Sequence, residues 1–259
     1  MTIKALPFVG YDEETEVYCF QHFGYKHGKR LKINSHNFIS VDGQGIKTKL
    51  KNPDILVGKK DFNTEWFNDF DTVYQNNGLT ALAWWTASLF VQQIKKRQKS
   101  WPFLEHTGEK GAGKSSLIRL LNGFIGRPNF EGVNPNNTSD SGFRRIISQL
   151  SNMPLALIES DVTKTGANGK KFIQQFNWDS IKDLYDYNGY LTVRGVKSND
   201  NETNELIYRG SICIAQNESI DASDAILSRI VHIHASLANH SHEAADIADK
   251  LNRYTFNTK

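Results

Sequence analysis

Apolar and polar positions recur with two different periods along the chain. Between about residues 8 and 57 the apolar residues come in short runs, Val17-Tyr18-Cys19-Phe20 and Leu31-Lys32-Ile33. Gly24, Gly28, Gly43, Gly45 and Pro53 punctuate them, a pattern that predicts short strands joined by turns. A polar, aromatic-bearing connector, KKDFNTEWFNDFDTVYQNNG, follows. The spacing then becomes helical, with Leu79, Leu82, Ala83, Thr86, Phe90 and Ile94 on one face. That predicted helix ends in Lys95, Lys96, Arg97 and Lys99 before Pro102, a cationic cluster that is either a contact for DNA or a solvated terminus suited to the negative end of the macrodipole.

From Phe103 onward strand and helix signals alternate. A short apolar strand runs into a glycine-rich turn and a helix over 115–121. The segment TSDSGFRRIISQL predicts a capped helix with Phe143, Ile146, Ile147 and Leu150 on one face. Next come a strand, PLALI, a Gly/Lys-rich loop, TKTGANGKK, and a helix near 179–185. A hairpin pattern, a buried strand, SICIA, and a helix near 242–254 complete the chain. This order predicts an α/β fold, a parallel sheet flanked by helices, with a small β-rich N-terminal unit. The expected division is a β-rich unit over 1–60, a connector and helical segment over 61–102, and a core over 103–259.

Composition narrows the setting. A chain of 259 residues, 39% hydrophobic and 23% charged, can bury one sizeable core, or one large and one small. Mean hydropathy is −0.50, and the longest apolar run, residues 79–91, is too short to span a bilayer. The N-terminus MTIKALPFVG lacks the pattern of a secretory signal. Cys19 and Cys213 stand alone in apolar surroundings, as reduced thiols of a cytoplasmic protein do. A net charge of +3 neither demands nor excludes nucleic acid, so local clusters must decide. His232 and His234 alternate on one strand and His240 and His242 sit in a polar stretch, but no His/Cys spacing matches a zinc site.

The chemistry concentrates in 105-EHTGEKGAGKSSLIRLL-121. Gly108, Glu109, Lys110, Gly111, Ala112, Gly113, Lys114 and Ser115 fit G-x-x-x-x-G-K-[ST], with Ser116 following into the helix. The glycines let backbone N–H groups turn inward around a polyphosphate, and the helix start adds its positive dipole end. Lys114 suits the β- and γ-phosphates and the Ser115 hydroxyl suits Mg²⁺, so the expected ligand is Mg²⁺-bound ATP. Hydrolysis needs a further acid at a neighbouring strand end. PLALI runs into Glu159-Ser160-Asp161, whose two carboxylates share a face if the strand continues. Glu159 is the expected principal acid and metal-side ligand, with Asp161 in support. SICIA ends in Gln216-Asn217, where an amide can orient the attacking water. Arg229, after an apolar helical segment, is either a charge stabiliser for the phosphoryl group of an adjacent subunit or a surface salt-bridge partner.

With these four elements in order, the sequence resembles AAA+-type P-loop ATPases. More narrowly it resembles the helicase module of primase-helicase replication proteins carried by phages, plasmids and integrative elements, related to superfamily-3 helicases. The similarity runs over about residues 79–233, through WPFLEHTGEKGAGKS, FEGVNPNNTSDSGFRRIISQLSNMPLALIESD and YRGSICIAQNESIDASDAILSRIV. It implies that Lys114 and Ser115 hold phosphate and Mg²⁺. Glu159 falls at the Walker B place, Asn217 at the sensor-1 place and Arg229 at the arginine-finger place. Two departures are visible: the acidic pair is split by Ser160, and the helical lid after the arginine is reduced to one short helix. The stretch 190-YLTVRGVKSNDNETNELIYRG-210 reads as a β-hairpin. In the resembling helicases a hairpin here enters a central pore, where Arg194 and Lys197 would touch single-stranded DNA phosphates without reading sequence. The loop 166–171, GANGKK, is a second candidate contact. The implied assembly is a hexameric ring acting on single-stranded DNA, with other replication proteins as partners. Two other functions stay open: an ATPase switch that loads or regulates a partner protein, and a small-molecule kinase.

Overall fold

The computed structural model describes residues 2–53, 55–57, 63–158, 162–165, 171–174, 176–194, 203–237 and 242–256. The N-terminal pattern folds as seven short strands: β1 (Ile3–Leu6), β2 (Val9–Asp12), β3 (Val17–Cys19), β4 (Phe23–Lys26), β5 (Lys29–Lys32), β6 (Ile39–Val41) and β7 (Gln44–Thr48). Helices follow, α1 (Trp66–Ser88), kinked at Gln75 (φ 48°), and α2 (Val91–Gln98), then β8 (Phe103–Gly108) and α3 (Lys114–Phe124). The chain continues through α4 (Asp140–Ser148), β9 (Leu150–Ile158), β10 (Val162–Thr165) and β11 (Lys171–Gln174). It ends with β12 (Tyr190–Arg194), β13 (Thr203–Ile207), β14 (Arg209–Ala215), α5 (Asp224–Leu227), β15 (Ile230–Ala235) and α6 (His242–Phe256).

Eight of the described strands form one sheet in the order β15-β8-β14-β9-β2-β3-β4-β5. From β15 to β9 neighbouring strands run parallel, as expected, and β2 of the N-terminal segment adds parallel to β9. From β2 to β5 they pair antiparallel, so the sheet is mixed. The N-terminal strands are therefore hydrogen-bonded onto the sheet that carries the glycine-rich loop. Their seam is short, Val9 opposite Leu150 and Gly10 opposite Ser151. Gly10 has φ 116°, and a Cβ there would stand 1.9 Å from the Ser151 carbonyl oxygen, so only glycine lets the two backbones approach. A separate three-stranded sheet, β1-β7-β6, closes a small core of Leu6, Phe8, Val17, Ile39 and Ile46.

The central sheet is covered on both faces. Strand β14 shows the sorting: Ile212 and Ile214 join one core while Cys213 and Ala215 join the other, the period-two pattern of a doubly covered strand. On the first face, Phe143 and Ile147 of α4 pack with Trp178, Ile181 and Leu184 over Phe103, Leu155 and Leu157. On the second face lie α1, α3 and α6, contributing Phe70, Trp84, Trp85, Leu117, Leu121 and Leu251.

Four local expectations change. The polar connector is helical from Trp66, because Trp66, Phe70 and Tyr74 repeat at i, i+4 and i+8. Trp66 packs against Phe124 of α3 in a tilted pair with centroids 4.5 Å apart. The helix expected from Leu79 to the cationic end is broken at Phe90, and α2 forms separately before Lys99 (φ 72°) ends it. Lys95 is not part of a solvated terminus. It is buried, with its ammonium 2.5 Å from the Leu184 carbonyl and over the Tyr208 ring, and burial draws its pKa down to about 7. The helix expected near 179–185 is a 3₁₀ segment, Trp178–Tyr185. The other predicted helices form, and α4 is capped by the Ser139 hydroxyl accepting from the Gly142 N–H at 3.1 Å.

Candidate nucleotide site

Strand β8 leaves the buried sheet at Gly108, and α3 starts at Lys114. Gly108, Gly111 and Gly113 have φ of 146°, 90° and 80°, which lets the connecting loop fold back on itself. At Gly108 a Cβ would come within 2.2 Å of the Ala235 carbonyl oxygen. Gly113 caps α3 and offers no side-chain acceptor. The first amides of a helix have no intrahelical acceptors, so here they are left for a ligand. Lys114 lies across the loop, its ammonium 2.6 Å from the Gly108 carbonyl and 2.8 Å from that of Glu109. Partial burial holds its pKa below the ordinary lysine value. Ser115 is exposed in the first turn and Ser116 half-buried.

A cavity of about 260 Å³ opens beside the loop. Gly111, Ala112, Gly113 and Ser116 form one wall, Val73, Tyr74 and Gly78 of α1 a second, and Ala244, Ala245 and Ala248 of α6 a third. First-turn amides, a lysine and a first-turn hydroxyl beside a recess of mixed polarity, with Asn77, His106 and Asp249 also in its lining, fit a nucleoside triphosphate: phosphates on the loop, base in the recess. The same hydroxyl, Ser115, is the described residue that fits a Mg²⁺ ligand. No group of three or more His, Cys, Asp or Glu residues able to hold a metal occurs among the described residues.

Sheet order brings the other predicted elements to the loop. Strand β14 lies directly between β8 and β9: Cys213 faces Leu104 on one side and Ala156 on the other, and Ala215 faces His106 and Ile158. The strand ends leading to Gly108, to Gln216-Asn217 and to residue 159 therefore lie side by side. Asn217 is exposed, and its carbonyl accepts from the Gly108 N–H at 3.3 Å. Glu159 and Asp161 lie outside the described residues. Arg229 is not brought to this loop. Its carbonyl accepts from the Phe103 N–H, at the other end of β8, roughly 16 Å away at the rise of a strand. Its guanidinium donates to the Lys182 carbonyl at 3.0 Å and lies 5.2 Å from the Tyr185 ring centroid. The predicted hairpin is present, β12 pairing antiparallel with β13 from Tyr190–Ile207 to Arg194–Thr203. Lys197 and residues 166–170 lie outside the described residues, while Lys171 opens β11.

Sequence reasoning missed a polar cluster beneath the loop. Glu105 is buried in β8. Its Oε1 accepts from the Gln216 amide at 3.2 Å and the Ile220 N–H at 2.7 Å, and its Oε2 pairs with His232 Nδ1 at 2.7 Å. The Thr107 hydroxyl stands 3.2 Å from His232 Nε2 and 2.9 Å from His234 Nδ1. His106, on the opposite face, is buried against the cavity. Desolvation, with lesser contributions from Lys114, His234 and His232, pushes its pKa down to about 4. The signal was three polar residues, Glu105-His106-Thr107, inside an otherwise apolar strand. Among the described residues no helix is long and apolar enough to cross a membrane. Both cysteines are buried and free, with burial pushing the Cys19 thiol up to about 12.

No family model and no curated protein matches the sequence. The fold does have solved counterparts. A structure described as an active helicase, SCCmec type IV Cch, aligns with a TM-score of 0.55 and 14% identity, over 96% of this chain and 44% of that one. The apo C-terminal region of NrS-1 aligns at 0.41 and 14%, over 95% of this chain and 64% of that one. JCV helicase bound to a thiazolopyridinyl-phenoxyphenyl acetamide aligns at 0.36 and 12%, over 72% and 56%. The chain thus shares the fold of the Cch helicase, a central multi-stranded sheet flanked by helices. It spans less than half of that protein's length.

Proposed function

We propose that this chain is the ATP-driven motor of a replication protein, a ring-forming DNA helicase or translocase acting on single-stranded DNA. The observation that carries the reading is the placement of β14 between β8 and β9. It sets an amide-tipped strand between a phosphate-type loop and a strand leading to Glu159, the arrangement ATP hydrolysis needs. Lys114 and the loop amides hold the β- and γ-phosphates. Ser115 and Glu159 hold Mg²⁺, which when bound neutralises charge on the phosphates, with Asp161 in support of Glu159. Asn217 orients the water. Arg229 acts on the nucleotide of the neighbouring subunit, and Arg194 and Lys197 grip DNA phosphates at the hairpin. The shared fold with Cch, itself described as an active helicase, supports the same reading.

Steady-state ATP hydrolysis with and without single-stranded DNA tests it. Turnover is expected to rise with DNA and with protein concentration, and to fall by at least about a hundredfold in Lys114→Ala. Turnover indifferent to DNA, with Arg229→Ala as active as the parent, excludes the motor. ATP-dependent hydrolysis that leaves a forked duplex intact assigns the chain instead to the class of ATPase switches that load or regulate a partner.

A further inference from the structure

Past the end of α3, Gly126-Arg127-Pro128-Asn129-Phe130 turns the chain back toward β9. This turn opens a cavity of about 420 Å³ at the opposite end of α3 from Lys114, roughly 16 Å along the helix axis. Its walls are largely apolar: Pro53 and Leu56 before α1, Phe130 and Val133 from the turn, Ile146 of α4 and Leu155 of β9. Arg127 lines it and is 6% exposed. The guanidinium stacks 3.8 Å from the Phe130 ring centroid, which occupies one of its faces. Its in-plane donors Nε and Nη1 are buried with no hydrogen-bond partner among the described residues. Burial lowers its pKa only to about 10, so it stays charged at neutral pH.

A buried charge without a counter-ion opposes folding and is relieved by an anion that reaches it. Among the described residues no other charged side chain lines this cavity, whereas Asn52, Asn129 and Gln149 supply neutral amides. One guanidinium is neutralised by one negative charge. A phosphate dianion would leave a second charge stranded against apolar walls. We propose that this cavity binds a small-molecule carboxylate carried on an apolar body, with Arg127 as its counter-ion and the Pro53, Phe130, Ile146 and Leu155 walls taking the apolar part. The planar guanidinium suits a carboxylate, and the volume suits a small organic acid. The site is separate from the nucleotide loop and does not depend on ATP binding.

The test uses the full chain without nucleotide, titrated with sodium 3-phenylpropionate and sodium octanoate, each against its own amide, and with phenyl phosphate. Binding is read by calorimetry and by the melting midpoint, which rises with any ligand that prefers the folded state. The acids are expected to bind saturably and at least about tenfold more tightly than their amides or than phenyl phosphate. Arg127→Met keeps the length of the side chain and removes its charge. It is expected to melt no lower than the parent when ligand-free, yet to lose the preference for acid over amide. The proposal is overturned if the parent binds none of the acids, if the amides bind as well as the acids, if phenyl phosphate binds better, or if Arg127→Met keeps the acid preference. Asp54, next to the lining residues in sequence, lies outside the described residues, and Asp54→Asn covers an internal counter-ion. If the parent ignores every acid and Asp54→Asn binds them, Arg127 is neutralised from within and the external ligand is excluded.

Discussion

Glu105 is accommodated in the middle of a buried strand because both carboxylate oxygens are engaged, one by two N–H donors and the other by His232. A buried acid without such partners would be costly. Here it ties β8 to the segment after β14 and to β15, so the strand before the phosphate loop and the segment bearing Asn217 move as one. His106, one residue on, has the opposite character: it is buried and held neutral. Its folded pKa of about 4 lies below the ordinary histidine value of 6.5, so between these values the unfolded chain binds a proton that the folded chain refuses. The stability it confers is complete above pH 6.5 and is lost as pH falls toward 4. The span is worth roughly 3 kcal/mol. Urea midpoints measured from pH 7 to pH 4 are expected to fall in this window, and His106→Gln is expected to flatten the fall. An unchanged slope in that variant would assign the acid sensitivity to other groups.

At the scale of elements, what was legible in the sequence is what has a local period or a local motif. α3, α4, β9, β14, β15 and α6 were all read from spacing, and the loop 108–115 from its glycines and lysine. The start of α1 was missed because its aromatic stripe of Trp66, Phe70 and Tyr74 is hidden among Asn, Asp and Thr, which read as a connector. Lys95 was misplaced for a related reason: periodicity shows that a face is polar, and cannot show that the Leu184 carbonyl waits above one lysine of it. Strand pairing between distant segments leaves still less local trace. Nothing near Gly10 announces that β2 joins β9, 140 residues later at the Tyr11–Ser151 contact. The structure makes Gly10 the test of that seam. A methyl group there meets the Ser151 carbonyl at 1.9 Å and forces a φ of 116° on an L residue. Gly10→Ala is expected to cost about 2–4 kcal/mol, read as a lowered urea midpoint. A matched Gly28→Ala, where a Cβ meets nothing within 4 Å, is expected to lose about 1 kcal/mol or less, from φ alone. Equal losses at the two positions would show that conformation, not the close approach to β9, sets the cost.

The whole molecule places the two halves of the proposed chemistry at opposite ends of one strand. Lys114 follows the C-terminal end of β8, while Arg229 is bonded through its carbonyl to Phe103 at the N-terminal end. A guanidinium extends about 7 Å from its Cα at most, far short of the roughly 16 Å between those ends. If Arg229 acts on a γ-phosphate, the nucleotide must belong to another copy of the chain, and in the isolated chain the arginine rests on the Lys182 carbonyl and the Tyr185 ring. This geometry predicts complementation. Lys114→Ala subunits have an intact Arg229 and no working loop; Arg229→Ala subunits have the reverse. Mixed in equal amounts, they form interfaces at which an intact Lys114 meets an intact Arg229. ATP turnover of the mixture is therefore expected to exceed that of either variant alone by at least about tenfold at concentrations where the parent is active. It should fall back on dilution as the assembly dissociates. A mixture as inactive as its components, in an assembly shown by light scattering to exchange subunits, would place Arg229 outside the reaction.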